Sequence, residues 1–182
     1  MLRSATAPDP EQDQGHHEFS FAIMPHQGRL LESGVYKQAL QYINEVSIRT
    51  VPTGTSASDI NSPFQITGTD SVILDTVKRG EDDDESGRSS VVIRMFECLG
   101  GRTKGSLKMS VPSHSSRVLL CHVTVTDRFS AGGIAPKSLT WVNILEEPMT
   151  DEGDVVWQQD GETATVELDF RGFEVRTLLI VL

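Results

Sequence analysis

The side chains that could do chemistry in this chain are its carboxylates, its histidines, two cysteines and two tryptophans. Hydrolysis of a glycosidic bond with retention needs two carboxyl groups about 5 Å apart, or a metal-assisted version of that pair. Glu146 and Glu147 are adjacent, so on a strand they point to opposite faces and cannot share a substrate. Glu97, Asp75 and Glu174 sit among apolar residues, where burial more often means an ion pair with a neighbour such as Arg94 or Arg176 than catalysis. His16, His17 and His26 match none of the compact zinc spacings, and neither cysteine lies near them in sequence. They read as the polar edge of a strand beside a turn. Gly100-Gly101 and Gly132-Gly133 lack the strand and helix context of a phosphate cradle. Trp141 and Trp157 could stack on a sugar ring, but both alternate with apolar positions, and core packing is the better reading. No nucleophile is paired with a base. The residues therefore assign no catalytic, cofactor-binding or metal-binding residue.

The elements that would carry these side chains are strands. Val72–Arg79 and Val91–Leu99 are two β-rich runs joined by the acidic stretch Gly80–Gly87, whose charges place it in water. The second run is apolar on both faces, which suits a strand inside a structure, and the two together predict a hairpin in the middle of a sheet. Leu107, Met109 and Val111 alternate with Ser106, Lys108 and Ser110. Val118–Val125 shows the same alternation, and Phe64–Ile66 is short enough to add only a small strand. Val155–Gln158 and Thr163–Phe170 flank an Asp160-Gly161 pair suited to a tight turn. In the second of these, Ala164, Val166, Leu168 and Phe170 share a face, which fixes the register. Arg171-Gly172 turns the chain into a last strand ending at Leu182.

Before these strands, residues 1–15 are polar and aperiodic and read as a disordered tail. Residues 16–63 read as a strand–helix segment and linker at the end of a preceding β domain. Phe19, Phe21 and Ile23 alternate as in a strand, Pro25–Gly28 makes a turn, and Leu30–Tyr42 has helical spacing with Gly34 inside it. Residues 64–182 form the main domain. The expected fold is mainly β, an antiparallel β-sandwich with one short helix near the N-terminus.

Bulk properties narrow the partners. A chain of 182 residues with a net charge of -10 is repelled by nucleic acid and by anionic membrane. Cys98 and Cys121 lie in apolar runs; their spacing allows a disulfide but nothing demands one, and they read as free thiols, as in an intracellular protein. No run is long enough to span a bilayer, and the N-terminus lacks the apolar core of a signal peptide. A cytoplasmic location is the expectation.

Four blocks, in order, carry a resemblance. Leu74-Asp75-Thr76-Val77-Lys78-Arg79-Gly80-Glu81-Asp82 is followed by Ile93-Arg94-Met95-Phe96-Glu97. The others are His17–His26 (His-Glu-Phe-Ser-Phe-Ala-Ile-Met-Pro-His), Asn143-Ile144-Leu145-Glu146-Glu147 and Phe173-Glu174-Val175-Arg176-Thr177. Together they resemble the C-terminal β region of glycoside hydrolase family 38 α-mannosidases, nearest to the vacuolar and cytosolic branch. The resemblance implies a fragment of an enzyme that hydrolyses terminal α-linked mannose, with zinc or another divalent metal, by a retaining route. The zinc ligands and the aspartate nucleophile belong to a catalytic barrel domain upstream, so no residue here inherits those roles. This chain alone is expected to be inactive, with no cofactor of its own. Its implied partner is the barrel, with a mannose-containing oligosaccharide and self-association as further candidates. The same branch would also allow a vacuolar location reached without a signal peptide. The pattern departs from the family at Thr126–Thr140, read as a surface insertion or as translated non-coding sequence. A free-standing carbohydrate- or protein-binding β module is the rival reading, and an inert fragment the third.

Overall fold

In a computed structural model, the structure describes residues 5, 7–44, 64–83, 89–110, 136–161 and 163–182. The expected strand at Val118–Val125, Cys121, Gly132-Gly133 and residues 126–135 of the departure from the family lie outside the described residues. The strands are β1 (Phe64–Thr67), β2 (Val72–Arg79), β3 (Ser90–Glu97), β4 (Thr103–Ser110), β5 (Ser138–Val142), β6 (Trp157–Asp160), β7 (Thr163–Phe170) and β8 (Val175–Val181). One sheet runs β1-β4-β7-β6 and the other β2-β3-β8-β5, with every pairing antiparallel. The mainly β sandwich with one short helix is the fold that the alternation of apolar residues implied.

The inner faces follow that alternation. Val91, Ile93 and Met95 of β3, Leu178 and Ile180 of β8, and Val166, Leu168 and Phe170 of β7 are all buried and belong to one core. Leu107 and Met109 of β4 join it from the same sheet as β7. Burying such side chains stabilises by about 1.5–3 kcal/mol each, which is what holds the two sheets together. Trp141 is buried in this core and Trp157 packs on it half-buried, as their alternation suggested.

Four expectations need correction. Among the described residues the β2–β3 hairpin lies at one edge of its sheet, with β2 outermost and β3 inside. Lys78, Arg79 and the irregular register between Leu74 and Thr76 are features that suit an exposed edge. β5 begins at Ser138, so Ser138–Thr140, the end of the stretch read as a surface insertion or translated non-coding sequence over Thr126–Thr140, belongs to a strand. Its signal was the alternation of Leu139 and Trp141, masked by the polar residues before it.

Near the N-terminus, the stretch from His16 to Gln27 forms no strand, and every residue in it is exposed. Alternation alone cannot make a strand where no neighbour completes the ladder. The helix expected over Leu30–Tyr42 is split into a single tight turn, Leu30–Glu32, and α1, Val35–Ile43. Gly34 makes the break: its φ of 74° is left-handed, where a side chain would be strained. α1 rests on the outer face of the β2-β3-β8-β5 sheet through Tyr36, edge-on to Phe96 at 6.0 Å between ring centres. Lys37 also pairs with Asp70 at 3.3 Å.

Candidate functional site

The acidic residues singled out in the sequence are held in separate places, each by groups that fix its charge. Glu97 ends β3 on the core-facing side, continuing the row Val91, Ile93, Met95, and is only 1% exposed. The chain then turns through Leu99, Gly100 and Gly101 into β4. On this turn Leu99 N–H donates to Glu97 Oε1 at 2.9 Å and Gly100 N–H to Oε2 at 2.7 Å. Phe173 N–H, from the β7–β8 turn, donates to Oε2 at 2.9 Å. Burial pushes the Glu97 carboxyl up, but the amides of Phe173, Leu99 and Gly100 and the Ser71 hydroxyl outweigh it and hold the group below the usual carboxylate range.

The expected ion pair of Glu97 with Arg94 or Arg176 is therefore wrong. Arg94 lies three positions before Glu97 on β3 and faces the other side of the sheet, where its Nε donates to Thr177 Oγ1 at 3.4 Å. Arg176 is on the core side but closes the end of the sandwich. Its guanidinium lies 3.9 Å from the centre of the Trp141 ring, its Nη1 donates to Asp169 O at 3.1 Å, and its Nη2 pairs with Glu152. The usable signal for Glu97 was its position, a carboxylate at a strand end three residues before a Gly-Gly pair in a turn whose amides need acceptors.

The two turns that share Glu97 touch closely. A Cβ on Gly172 would lie 2.3 Å from Gly100 O, and the Phe173 ring sits against Gly100. Phe173 itself has φ 58°, left-handed for an aromatic residue, and is 64% exposed. Glu174 caps its own turn, with Arg171 N–H donating to Oε2 at 2.7 Å and the Arg171 side chain 3.4 Å from Oε1.

At the other end of β3 a second buried carboxylate does a similar job. Asp83 is 3% exposed, accepting from Ser90 N–H at 2.7 Å and Ser90 Oγ–H at 2.6 Å. The expectation that the whole acidic connector lies in water thus fails at Asp83, because Ser90 supplies two donors that compensate its burial. Residues 84–88 of the connector lie outside the described residues.

Glu146 and Glu147 are not on a strand. They lie in a turn closed by Asn143, whose Oδ1 accepts from Leu145 N–H at 2.8 Å and Glu147 N–H at 3.1 Å. Asn143 Nδ2 donates to Glu147 Oε2 at 2.9 Å. Glu146, at φ 67°, reaches Lys78 at 2.7 Å and accepts from Glu81 N–H at 2.8 Å. Because β5 and β2 are opposite edges of one sheet, the turn must strap across its outer face. Beneath lie Val92, Val142 and Leu179, a small apolar cluster buried on that face. This explains why β3 and β8 are apolar on both sides.

Burial raises the Glu146 carboxyl, but its bonds to Lys78 and the Glu81 amide bring it below the ordinary range. Lys78 is raised by its bonds to Glu146 and Glu81. Glu146 is thus held ionised beside the Lys78 ammonium, the opposite of a general acid kept protonated near neutral pH.

The remaining candidates are dispersed. Asp75 is exposed and accepts from Thr76 Oγ1–H at 2.8 Å. His16 lies 3.1 Å from Glu18, His17 bonds the Asp13 carbonyl at 2.9 Å, and His26 is exposed on the same stretch. Among the described residues no three of His, Cys, Asp and Glu come together as metal ligands. Gly100-Gly101 forms the turn already described, with its amide at Gly100 committed to Glu97. Cys98 is a free, buried thiol, pushed up first by burial and then by the neighbouring Glu97 charge, so it stays protonated and unreactive. Among the described residues no helix is long and apolar enough to cross a membrane.

Comparison with known proteins agrees with this geometry. Residues 71–178, more than half of the chain and spanning β2 to β8, match the glycosyl hydrolases family 38 C-terminal beta sandwich domain. Human alpha-mannosidase 2C1 is 29% identical over 187 aligned residues, covering all of this chain and 14% of the relative. Alpha-mannosidase G of Dictyostelium discoideum is 33% identical over 112 residues, 61% of this chain and 10% of the relative. The alpha-mannosidase of Saccharomyces cerevisiae is 37% identical over 122 residues, 61% of this chain and 11% of the relative. The chain thus spans 10–14% of the length of these relatives. By this match over residues 71–178, the chain belongs to the family of glycosyl hydrolase family 38 C-terminal β-sandwich domains.

Proposed function

We propose that this chain is a non-catalytic scaffold of an α-mannosidase, buttressing a catalytic barrel supplied by the rest of such an enzyme and shaping the rim of its sugar site. On this reading the whole enzyme removes terminal α-linked mannose, and its divalent metal, zinc or another, is held by the barrel. Residues 64–182 are the scaffold, residues 16–63 its link to a preceding β domain, and residues 1–15 a tail. The observation that carries the reading is the family match over residues 71–178. The state of the carboxylates supports it: Glu97 and Glu146 are both held ionised by bonds to the chain itself. A retaining pair needs one carboxyl kept protonated and its partner free to attack, and neither condition suits these groups. The buried free thiol of Cys98 is in keeping with a cytoplasmic, reducing address.

The test is replacement. In human alpha-mannosidase 2C1, the stretch that aligns with this chain is exchanged for the 182 residues. The chimera is expected to be soluble and to hydrolyse an aryl α-mannoside. An insoluble or inactive chimera, beside an active parent, would overturn the reading.

A further inference from the structure

The turn that straps the outer face of the β2-β3-β8-β5 sheet is tipped with residues that do not make turns. Val142 and Pro148 bridge at its base, and Asn143 N–H donates to Glu147 O at 2.9 Å. Glu146 N–H donates to Asn143 O at 3.1 Å, which places Ile144 and Leu145 at the two central positions of a β-turn. Such positions favour Gly, Pro, Asn, Asp and Ser, whose backbone freedom, fixed ring or side-chain bonds make the bend. Ile and Leu bring none of these. Both are 74% exposed. Single exposed apolar side chains are ordinary, but an adjacent pair on the tip of a turn leaves water only against another surface.

The tip is also held rigidly. Asn143 Oδ1 accepts from Leu145 N–H and Glu147 N–H. Glu146, at φ 67°, turns its side chain down onto Lys78 and the Glu81 N–H. A residue other than glycine keeps that conformation only where its surroundings over-determine it, as they do at ligand clamps and switches. Here they hold Ile144 and Leu145 outward. Among the described residues the other sheet presents nothing similar, since outward positions of β1, β4 and β7 carry Gln65, Lys104, Lys108, Thr165 and Glu167.

We propose that Ile144 and Leu145 form a ready-made plug, which seats in an apolar pocket in the part of an α-mannosidase polypeptide that this chain does not contain. This contact presupposes the scaffold function proposed above and gives it one fixed point. Two observations select the occupant. The turn lies inside the stretch 71–178 that matches the family, while the chain spans only 10–14% of its relatives, so most of such a polypeptide lies outside it. The contact is also small: two side chains fall well short of the roughly 1,200 Å² that a stable association of separate molecules buries. A pocket in the same polypeptide meets the plug at high effective concentration, so a small contact suffices. A tip that is already rigid loses little conformational freedom on seating.

The test uses the chimera described above and the isolated full chain. Ile144→Ser and Leu145→Ser are introduced together. In the isolated chain the double variant is expected to melt with the wild type, because both side chains already face water. In the chimera it is expected to shorten the half-life of activity on warming about tenfold. Leu145→Cys, introduced alone, reads the contact directly. A water-soluble maleimide, followed by peptide mass, is expected to label that position about tenfold more slowly in the chimera than in the isolated chain. Equal labelling in the two, with a double-variant chimera as durable as its parent, would overturn the plug and leave the scaffold reading standing. An inactive wild-type chimera would sink both. If the isolated chain forms a dimer that the double variant loses while the chimera is indifferent, the tip seats on a second copy and the proposal fails.

Discussion

The Glu97 carboxylate accepts the amide hydrogen of Phe173 at 2.9 Å across 76 residues of sequence. That bond ties the β3–β4 turn to the β7–β8 turn, so one side chain locks the ends of both sheets. Replacing Glu97 with Gln keeps the shape but removes the charge and turns an amide N–H₂ toward backbone donors. Hydrogen bonds to charged groups contribute about 1.5–3 kcal/mol, so Glu97→Gln is expected to destabilise by about 2 kcal/mol. Glu97→Ala, which leaves buried amides without an acceptor, should cost more. Urea unfolding of the purified chain measures both.

The same carboxylate gives a pH dependence. Glu97 and Glu146 lie below their ordinary range in the folded chain, so the folded state holds their protons less tightly than the unfolded one. Their contribution is present above the unfolded value, about 4.3, and is lost as pH falls from there through the lower folded values. Lys78 is shifted upward, so its contribution is present at neutral pH and lost only as pH rises above about 10.4. Stability should therefore be flat near neutrality and fall on the acid side, with a shallower fall in Glu97→Gln. Midpoints of thermal unfolding between pH 3 and 7 check the sign.

Close approach of the two turns predicts an asymmetry between glycines. A Cβ at Gly172 would stand 2.3 Å from the Gly100 carbonyl, a backbone atom that cannot swing aside, whereas one at Gly101 meets nothing within 4 Å. Gly172→Ala is expected to destabilise by about 1–3 kcal/mol, the usual range for overpacking, and Gly101→Ala by little. Equal effects would show that the turns are not in contact.

Arg176 seals the end of the core by lying 3.9 Å from the Trp141 ring centre while bonding Asp169 O and pairing with Glu152. Lysine cannot stack a planar head on the ring and bond both partners together. Arg176→Lys is expected to cost about 1 kcal/mol and to shift tryptophan emission, because Trp141 is otherwise buried. Unchanged emission would contradict the stacking.

The strap over the outer face rests on Lys78 and Glu146, 2.7 Å apart, with Lys78 partly in water. A double-mutant cycle with Lys78→Met and Glu146→Gln should give a coupling of about 0.5–1 kcal/mol, reduced by salt. Loss of the strap should also speed amide exchange around Val92 and Leu179, the residues beneath it.

Alternation carried most of the fold. Residues 163–170 show why: every second side chain is apolar, a slip would expose them all, and the strand is where the sequence placed it. Long-range polar pairing was not legible in the same way. Glu97 read as half of an ion pair, because sequence shows nearby charges but not the amides of a turn 76 residues away. Asp83 was hidden in an acidic run whose average character is solvated, although one member turns inward to Ser90. Glu146-Glu147 has no sequence mark of a turn, because the turn closed by Asn143 depends on a positive φ at Glu146 that its residue type does not announce. Phe19–Ile23 has the pattern of a strand without a neighbour, because pattern specifies a face and not who completes it.

Turnover by the purified 182-residue chain on an aryl α-mannoside, with and without added zinc or cobalt, tests the central claim most directly. A scaffold without its own reacting groups should give no hydrolysis above a protein-free blank. Metal-stimulated hydrolysis that Glu97→Gln or Glu146→Gln abolishes, in variants still folded by circular dichroism, would contradict it.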